Sequence, residues 1–112
     1  MTRSILSEQD YLILVSISTG PLHGYAITQQ VRQLTSDALV LSPSTLYKAL
    51  DRMLGEGWIE VASEEVVNSR LRRSYRPTGT GAEVLASEIE RRSKMEKEVR
   101  RRLRGLTLGE AL

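Results

Sequence analysis

The sequence predicts a mostly α-helical protein of the α+β class, with three short helices, then a small β-hairpin and one long C-terminal helix. Residues 43–54 and 81–104 place apolar side chains at helical spacing, and residues 11–17 are apolar nearly all round. Residues 58–62 and 73–76 are typical of two short strands. A chain of 112 residues is long enough for one domain with a modest core.

The composition excludes several classes of protein. Lys and Arg total 16 against 14 Asp and Glu, and this net charge of +2 is too small to indicate a nucleic-acid partner by itself. The absence of Cys excludes disulfides, thiolate metal sites and a cysteine nucleophile. No apolar run approaches the roughly 20 residues of a membrane span, and no signal-peptide pattern opens the chain. We therefore expect a cytoplasmic protein without a membrane partner.

The first helix is expected to lie at the centre of the core. Ser7 and Asp10 have the spacing of a capping box, which marks a helix start. The following residues 11–17 are apolar on nearly every side, so this helix should be buried against several neighbours. Residues 19–21, Thr-Gly-Pro, end it.

The second helix is predicted from His23 to about Leu34. Ile27, Val31 and Leu34 share one face of it, which we expect to be buried. Leu39 and Leu41, in the connection that follows, are predicted to pack inward.

The third helix begins with clear signals, because Ser42 is a good N-cap residue and Pro43 suits the first helical position. Gly55 and Gly57 end the helix. The predicted buried stripe is Leu46, Leu50, Met53 and Leu54, and the outward face carries Thr45, Tyr47, Lys48, Asp51 and Arg52. An outward face of this kind can contact base edges in a major groove. An ordinary amphipathic surface helix is the alternative.

Three short helices of which the last is amphipathic form a helix-turn-helix layout, and the predicted hairpin beside it corresponds to the wing of a winged helix. Residues 63–72 are predicted to be the loop of this hairpin. The positive charge of the hairpin comes from Arg70, Arg72, Arg73 and Arg76, which suit phosphates or a narrow minor groove. Glu64 and Glu65 weaken that electrostatic argument, and a solvated hairpin tip is the alternative.

The last helix, residues 81–104 with Thr80 as its N-cap, is predicted to need a partner. Its apolar residues fall on one side, and they are Leu85, Ile89, Met95, Val99, Leu103 and Leu106. The commonest partner for such a stripe is the same helix of a second copy. Arg92 and Glu96 interrupt the stripe, and we hypothesise that they pair across the two-fold axis. The remaining cations of the helix are interpreted as a solvated face.

Several of these segments together resemble the PadR family of winged-helix transcriptional regulators. They lie in the family's order and spacing over about residues 8–85, and they are Tyr11-Leu12-Ile13-Leu14, Gly20-Pro21-Leu22-His23-Gly24-Tyr25, Leu41-Ser42-Pro43-Ser44-Thr45-Leu46-Tyr47-Lys48-Ala49-Leu50, Gly57-Trp58-Ile59 and Arg72-Arg73-Ser74-Tyr75-Arg76-Pro77-Thr78 with Gly81. The length is similar to that of the family's small branch, which has a single long C-terminal helix.

The resemblance implies a homodimeric repressor, and in some family members a small-molecule effector releases the DNA. Position by position, it places Ser42, Ser44, Thr45, Tyr47 and Lys48 on the recognition helix and Arg70, Arg72 and Arg73 on the wing. It places His23 at the start of the second helix, in a capping, packing or phosphate-contacting role. Two departures matter: Pro77 replaces a usual Leu and should shorten the second wing strand or place it at an edge, and the last helix lacks the Trp that stacks on flat drugs. No effector residues are assigned.

The sequence thus predicts a winged helix-turn-helix at residues 1–78 and a dimerisation helix at residues 79–112. The expected function is a repressor that binds double-stranded DNA at two half-sites about one helical turn apart, with Lys48 and Arg52 as base or phosphate contacts. The expected dimer contacts are Leu85, Ile89, Arg92, Met95, Glu96, Val99 and Leu103. A winged helix that docks on another protein is the alternative. An enzyme is not expected, nor a cofactor or metal, because the chain has one His and no usable nucleophile, carboxylate pair or phosphate-binding loop.

Overall fold

The computed structural model describes residues 6–106 and has the predicted α+β architecture. Its elements in chain order are α1 Glu8–Ile17, β1 Leu22–His23, α2 Gly24–Leu34, α3 Pro43–Gly55, β2 Ile59–Val67, β3 Arg70–Pro77 and α4 Gly79–Leu103. Residues 1–5 and 107–112, which the sequence-based domain boundaries include, lie outside the described part.

The core lies between α1, α2 and α3, with α1 at its centre as the sequence predicted. Ile13 and Leu14 are completely inaccessible, and Leu12 and Ile17 are buried beside them. The opposing side chains come from the predicted stripes of α2 and α3 and from the sheet, and they are Ile27, Val31, Leu41, Leu46, Ala49, Leu50, Met53, Ile59 and Tyr75. Leu39 packs against this cluster, which confirms the inward orientation predicted for the connection.

The prediction that Leu34 is buried is wrong, because half of its surface is exposed. Thr35 lies half-buried at this end of α2 instead. Its hydroxyl donates to the Val31 carbonyl at 2.8 Å and accepts from the Leu39 amide at 3.1 Å. Thr35 therefore provides hydrogen-bond partners for a carbonyl in the last turn of α2 and for an amide in the connection that follows.

The helix starts confirm the predicted caps of α1 and α3 and correct that of α4. The side chains of Ser7 and Ser42 accept the amide hydrogens of Asp10 and Thr45. The cap of α4 is Thr78 rather than Thr80. The Thr78 hydroxyl accepts from the Gly81 amide at 3.0 Å and donates to the Gly57 carbonyl at 2.5 Å, a distant partner that the local sequence does not reveal.

The sheet has three antiparallel strands in the order β1-β3-β2, and β1 was not predicted. The short β1 pairs Leu22 with Tyr75 and His23 with Ser74, next to the start of α2. The hairpin of β2 and β3 is the wing. Its predicted ten-residue loop is wrong, because both strands continue to a two-residue turn at Asn68 and Ser69.

Both turn residues have positive φ, 53° and 63°, as a type I′ turn requires. Glu64, opposite Arg73, and Glu65, opposite Arg72, belong to the ladder rather than to a loop. Pro77 neither shortens β3 nor places it at an edge, because it ends a strand of eight residues that lies between β1 and β2.

Only the first turns of α4 pack on the core. Val84 and Leu85 contact the core cluster, whereas Ile89, Met95 and Val99 are substantially exposed. The molecule is therefore elongated, with extents of 59 × 35 × 22 Å. Within residues 6–106, no helix combines the length and apolar character needed to cross a membrane.

Candidate nucleic-acid interface

The exposed face of α3 carries most of the residues that the sequence singled out. Leu46, Leu50 and Met53 face the core, so the opposite side of the helix is turned to solvent. On that solvent side lie Ser44, Tyr47, Lys48 and Asp51, with Thr45 half-buried at its margin. The amphipathic division of α3 is thus as predicted.

Hydroxyl groups surround the N-terminus of α3. The Ser42 hydroxyl accepts from the Thr45 amide at 3.2 Å and donates to the Thr45 hydroxyl at 2.9 Å. The Ser44 hydroxyl lies 3.5 Å from that of Ser42. A helix N-terminus carries partial positive charge and unpaired amide donors, so this end of α3 favours an anionic group such as a phosphate.

Arg52 differs from the other predicted DNA contacts because it is held within the chain. Its guanidinium donates to the carboxylate of Asp10 on α1, which is almost fully buried, while Arg52 itself is about half exposed (49%). The capping box of α1 is correspondingly incomplete, since the Asp10 carboxylate is directed to Arg52. Arg52 therefore joins α3 to α1.

The wing arginines fall into two groups. Arg73 pairs with Glu64 at 2.7 Å and Arg76 with Glu60 at 2.8 Å, each across the β2–β3 ladder. Within residues 6–106, neither Arg70 nor Arg72 forms an ion pair, and the same holds for Lys48. The charges that remain available to a ligand on this side are those of Lys48, Arg70 and Arg72.

A groove of about 500 Å³ separates the start of α2 and Tyr47 of α3 from the wing. Tyr25 is 71% exposed and Tyr47 is 47% exposed at its edge. The wing side is lined by Val67, Asn68, Arg70, Leu71, Arg72 and Arg73. The groove thus places Tyr47 of α3 and the unpaired wing arginines around one concave surface.

His23 and Tyr25 also line this groove, although they lie outside the predicted recognition helix and wing. His23 is the N-cap of α2, and its Nδ1 accepts from the Ala26 amide at 3.4 Å, as the proposed capping role requires. Tyr25 lies two residues further along and faces solvent. The resemblance marked both positions, but only the unpredicted strand β1 brings them beside the wing.

Tyr75 on β3 is buried in the core cluster. Burial raises the pKa of its hydroxyl above the ordinary value of 10.0, and the neighbouring Tyr47 raises this pKa further. The hydroxyl therefore stays protonated at neutral pH, and Tyr75 contributes packing rather than charge.

The predicted dimer contacts on α4 also divide into two groups. Ile89, Met95 and Val99 form an exposed apolar stripe, whereas Leu85 packs on the core of its own chain and Leu103 is half-buried. Arg92 is engaged within the chain: it pairs with Glu88 at 2.7 Å and with Glu8 at 2.9 Å.

The guanidinium of Arg92 also lies 3.7 Å from the centre of the Tyr11 ring. Glu96 pairs with Arg100 at 3.2 Å. The groups invoked for an Arg92–Glu96 pair across a two-fold axis thus have partners in their own chain. Among residues 6–106, no group of three or more His, Cys, Asp or Glu side chains is arranged to hold a metal ion.

Comparisons with known proteins agree with this geometry. Residues 13–87 match the model of the transcriptional regulator PadR-like family. The chain is 32% identical over 87 residues to the transcriptional regulator Rv3488 of Mycobacterium tuberculosis, and the match covers 78% of each chain.

Solved structures show the same fold. A PadR family transcription regulator from Clostridium difficile superposes with a TM-score of 0.74 at 24% identity, over 87% of this chain and 99% of that one. Bacillus subtilis PadR, solved in complex with operator DNA, superposes with a TM-score of 0.65 at 23% identity, over 73% of this chain and 46% of that one.

Proposed function

Because this chain belongs to the PadR-like family of transcriptional regulators, we propose that it is a homodimeric repressor that binds an inverted-repeat operator. Each copy places the exposed face of α3 in a major groove and its wing on the flanking backbone. The two half-sites lie roughly one helical turn apart. The proposed place of action is the cytoplasm, at the chromosomal operator.

The observation that carries the proposal is the position of the unpaired cations. Arg70 and Arg72 line one groove with Tyr47, and Lys48 follows Tyr47 on the exposed face of α3. The neighbouring Arg52, Arg73 and Arg76 are each held by a carboxylate. Free cations beside a helix N-terminus suit a polyanion, and Bacillus subtilis PadR, which has this fold, was solved with operator DNA. The weak net charge of the chain is therefore compatible with DNA binding.

The roles within the interface follow from these positions. Ser42, Ser44 and Thr45 hold a phosphate at the N-terminus of α3, Tyr47 contacts the backbone, and Lys48 contacts a base edge or a phosphate. Arg70 and Arg72 bind phosphates beside the wing. Arg52 and Arg73 act mainly by holding α3 and the wing in place, since their carboxylate partners already bind them.

A small-molecule effector that releases the DNA completes the proposal. An open groove of about 500 Å³ lies beside the α4 stripe, between Glu8, Arg92, Met95 and Val99. A second copy packed on the stripe would cover this groove. Effectors are therefore to be sought as compounds that bind the dimer there and weaken its hold on the operator.

The test is a titration against the DNA upstream of the protein's own gene, beside scrambled DNA, at several salt concentrations. We expect specific binding. The logarithm of the binding constant should fall linearly with the logarithm of the salt concentration. Lys48→Ala should weaken binding. If Lys48 contacts a phosphate, the variant should bind operator and scrambled DNA more weakly alike, whereas loss of a base contact should weaken binding to the operator alone.

Lys94→Ala is the matched control, because Lys94 is an exposed α4 residue without an ion pair in the described chain and outside the groove. Equal binding to the upstream DNA and to scrambled DNA would mean that the operator lies elsewhere. No binding to any DNA at low salt would overturn the repressor and favour a winged helix that docks on another protein.

A further inference from the structure

The tip of the wing carries an apolar pair that the core does not use. Val66 on β2 and Leu71 on β3 are direct cross-strand partners, one residue pair before the turn. Their side chains are 71% and 58% exposed. Most exposed apolar residues occur singly, whereas these two lie side by side at the end of a narrow hairpin.

The register of the hairpin fixes which residues share a face with this pair. Directly opposed residues lie on the same face of a sheet, and successive residues alternate. The Val61–Tyr75 pair faces the core, and the Glu64–Arg73 and Val66–Leu71 pairs continue that face outward. Arg70 and Arg72 lie on the other face of the same strand. The tip therefore presents an apolar face and a cationic face together.

One member of the apolar pair lies in the proposed DNA-binding groove. Leu71 lines this groove on the wing side, opposite Tyr25 and Tyr47. The nearby charges available to a ligand are those of Arg70 and Arg72, which form no ion pair among the described residues. A partner at the tip must therefore offer negative charge on its outside and an apolar surface between the charges.

The minor groove of duplex DNA offers this combination. Its walls are the C–H surfaces of the deoxyribose rings, and its rims are the phosphates. We propose that Val66 and Leu71 form an apolar wedge that packs on deoxyribose in the minor groove flanking each half-site, while Arg70 and Arg72 hold the adjacent phosphates. The proposal depends on the repressor function above. It adds an apolar contact with DNA to the contacts made by charged residues.

The test compares the wild-type protein with the double variant Val66→Thr, Leu71→Thr. Threonine is β-branched, as a strand prefers, and presents a hydroxyl group in place of apolar surface. Both sites are largely exposed, so the melting temperature should not change. Operator affinity should fall roughly tenfold, from the loss of buried apolar surface. The dependence of affinity on salt should stay the same, because no phosphate contact is lost.

Two variants provide the comparison. Arg70→Ala should weaken operator binding and make its salt dependence shallower by the contribution of about one phosphate contact. The double variant, in contrast, should leave the salt dependence unchanged. Leu34→Gln removes a half-exposed apolar side chain outside the groove and should leave operator binding unchanged.

Hydroxyl-radical footprinting locates the contact, since the radicals attack deoxyribose from the minor groove. The double variant should lose protection at the flanking minor-groove positions and keep the protection due to α3. Unchanged affinity with an unchanged footprint would overturn the wedge while leaving the repressor intact. Unchanged DNA binding with weakened self-association in sedimentation would instead make the pair a contact between copies. Failure of the wild-type protein to bind any DNA would overturn the repressor itself.

Discussion

Two glycines lie where a methyl group would collide with another part of the fold, with different consequences. A Cβ at Gly81 would lie 1.9 Å from the carbonyl oxygen of Trp58, which is backbone and cannot turn away. A Cβ at Gly24 would lie 2.4 Å from the Tyr47 hydroxyl oxygen, which is the far end of a side chain. Gly81 is therefore required by the packing of α4, and Gly24 by the position of one groove residue.

Gly81→Ala should destabilise the protein by about 2 kcal/mol, because the first turn of α4 must move away from the backbone of Trp58. Gly24→Ala should cost less stability but weaken operator binding, since Tyr47 must leave its place at the edge of the groove. Urea unfolding and DNA titration measure the two effects.

Gly79→Ala is the control for this pair, since no atom lies within 4 Å of a Cβ at Gly79. We expect it to be neutral or slightly stabilising. A Gly81→Ala variant as stable as the control would contradict the close approach of α4 to Trp58.

At the residue scale, the sequence predicts what local spacing determines. Ser42 and Pro43 identify the start of α3 because capping is a matter of three or four neighbouring residues. The partner of Arg52 could not be predicted, because Asp10 lies 42 residues away and its position suggested a capping box instead. Charge alone therefore could not separate the paired arginines from those available to DNA.

The Asp10–Arg52 ion pair is the principal polar link between α1 and α3. Asp10 is nearly inaccessible, so Arg52→Ala would leave a buried carboxylate without its cation. Removing one partner of a fully buried pair costs about 3–5 kcal/mol, and the half-exposed Arg52 reduces this to about 1–3 kcal/mol.

A double-mutant cycle with Asp10→Asn separates this structural role from a direct DNA contact. We expect Arg52→Ala to lower both the free energy of unfolding and operator affinity in the wild-type background, and to cost much less stability when Asp10 is already Asn. An Arg52→Ala variant with unchanged stability and weakened DNA binding would show that Arg52 contacts DNA directly.

Glu88 links α4 to its own arginines and, through Arg92, to α1. A hydrogen bond from Arg91, with a further contribution from Arg92, holds the pKa of the Glu88 carboxyl below its ordinary value of 4.5. A carboxyl whose pKa is lowered in the folded state stabilises the protein at every pH above the ordinary pKa of that carboxyl. This stabilisation is lost as the pH falls through the lower, folded-state value.

We therefore expect the wild-type protein to be more stable than Glu88→Gln at pH 7 and the difference to shrink as the pH falls below about 4.5. Thermal melts of both proteins from pH 7 to pH 3 measure it. A difference that stays constant over this range would mean that the Glu88 charge does not stabilise the docking of α4.

The elements show the same division between local and distant information. The helices were predicted because each is long enough to display a hydrophobic period. The wing was predicted with a ten-residue loop because the acidic and basic residues of 63–72 resemble a solvated connection. Their cross-strand pairing, such as that of Glu64 with Arg73, becomes visible only once the register is known. The two residues of β1 are too few to show any period.

At the scale of the whole molecule, the projecting helix α4 dominates the shape. The Cα radius of gyration is 16.8 Å, whereas a compact chain of this length would have about 13 Å. The excess comes from the part of α4 beyond Leu85, which exposes Ile89, Met95 and Val99. An apolar stripe on a projecting helix is the reason to propose a dimer, and residues 6–106 do not cover it.

Val99→Asp tests the dimer because it places a charge within the stripe, far from the groove between α3 and the wing. We expect sedimentation to show a monomer, since each copy would have to bury an unpaired carboxylate within the apolar contact. Affinity for an operator with two half-sites should fall roughly 10²-fold or more, because the second half-site no longer binds as part of the same molecule.

Affinity for a single half-site should stay the same, because α3 and the wing are untouched. Ser93→Asp adds the same charge to an exposed α4 residue outside the stripe and should leave the protein dimeric. If Val99→Asp remained dimeric with full operator affinity, the copies would have to associate through another surface. In that event the exposed stripe would be free to bind a different partner, and the spacing of the half-sites would no longer follow from α4.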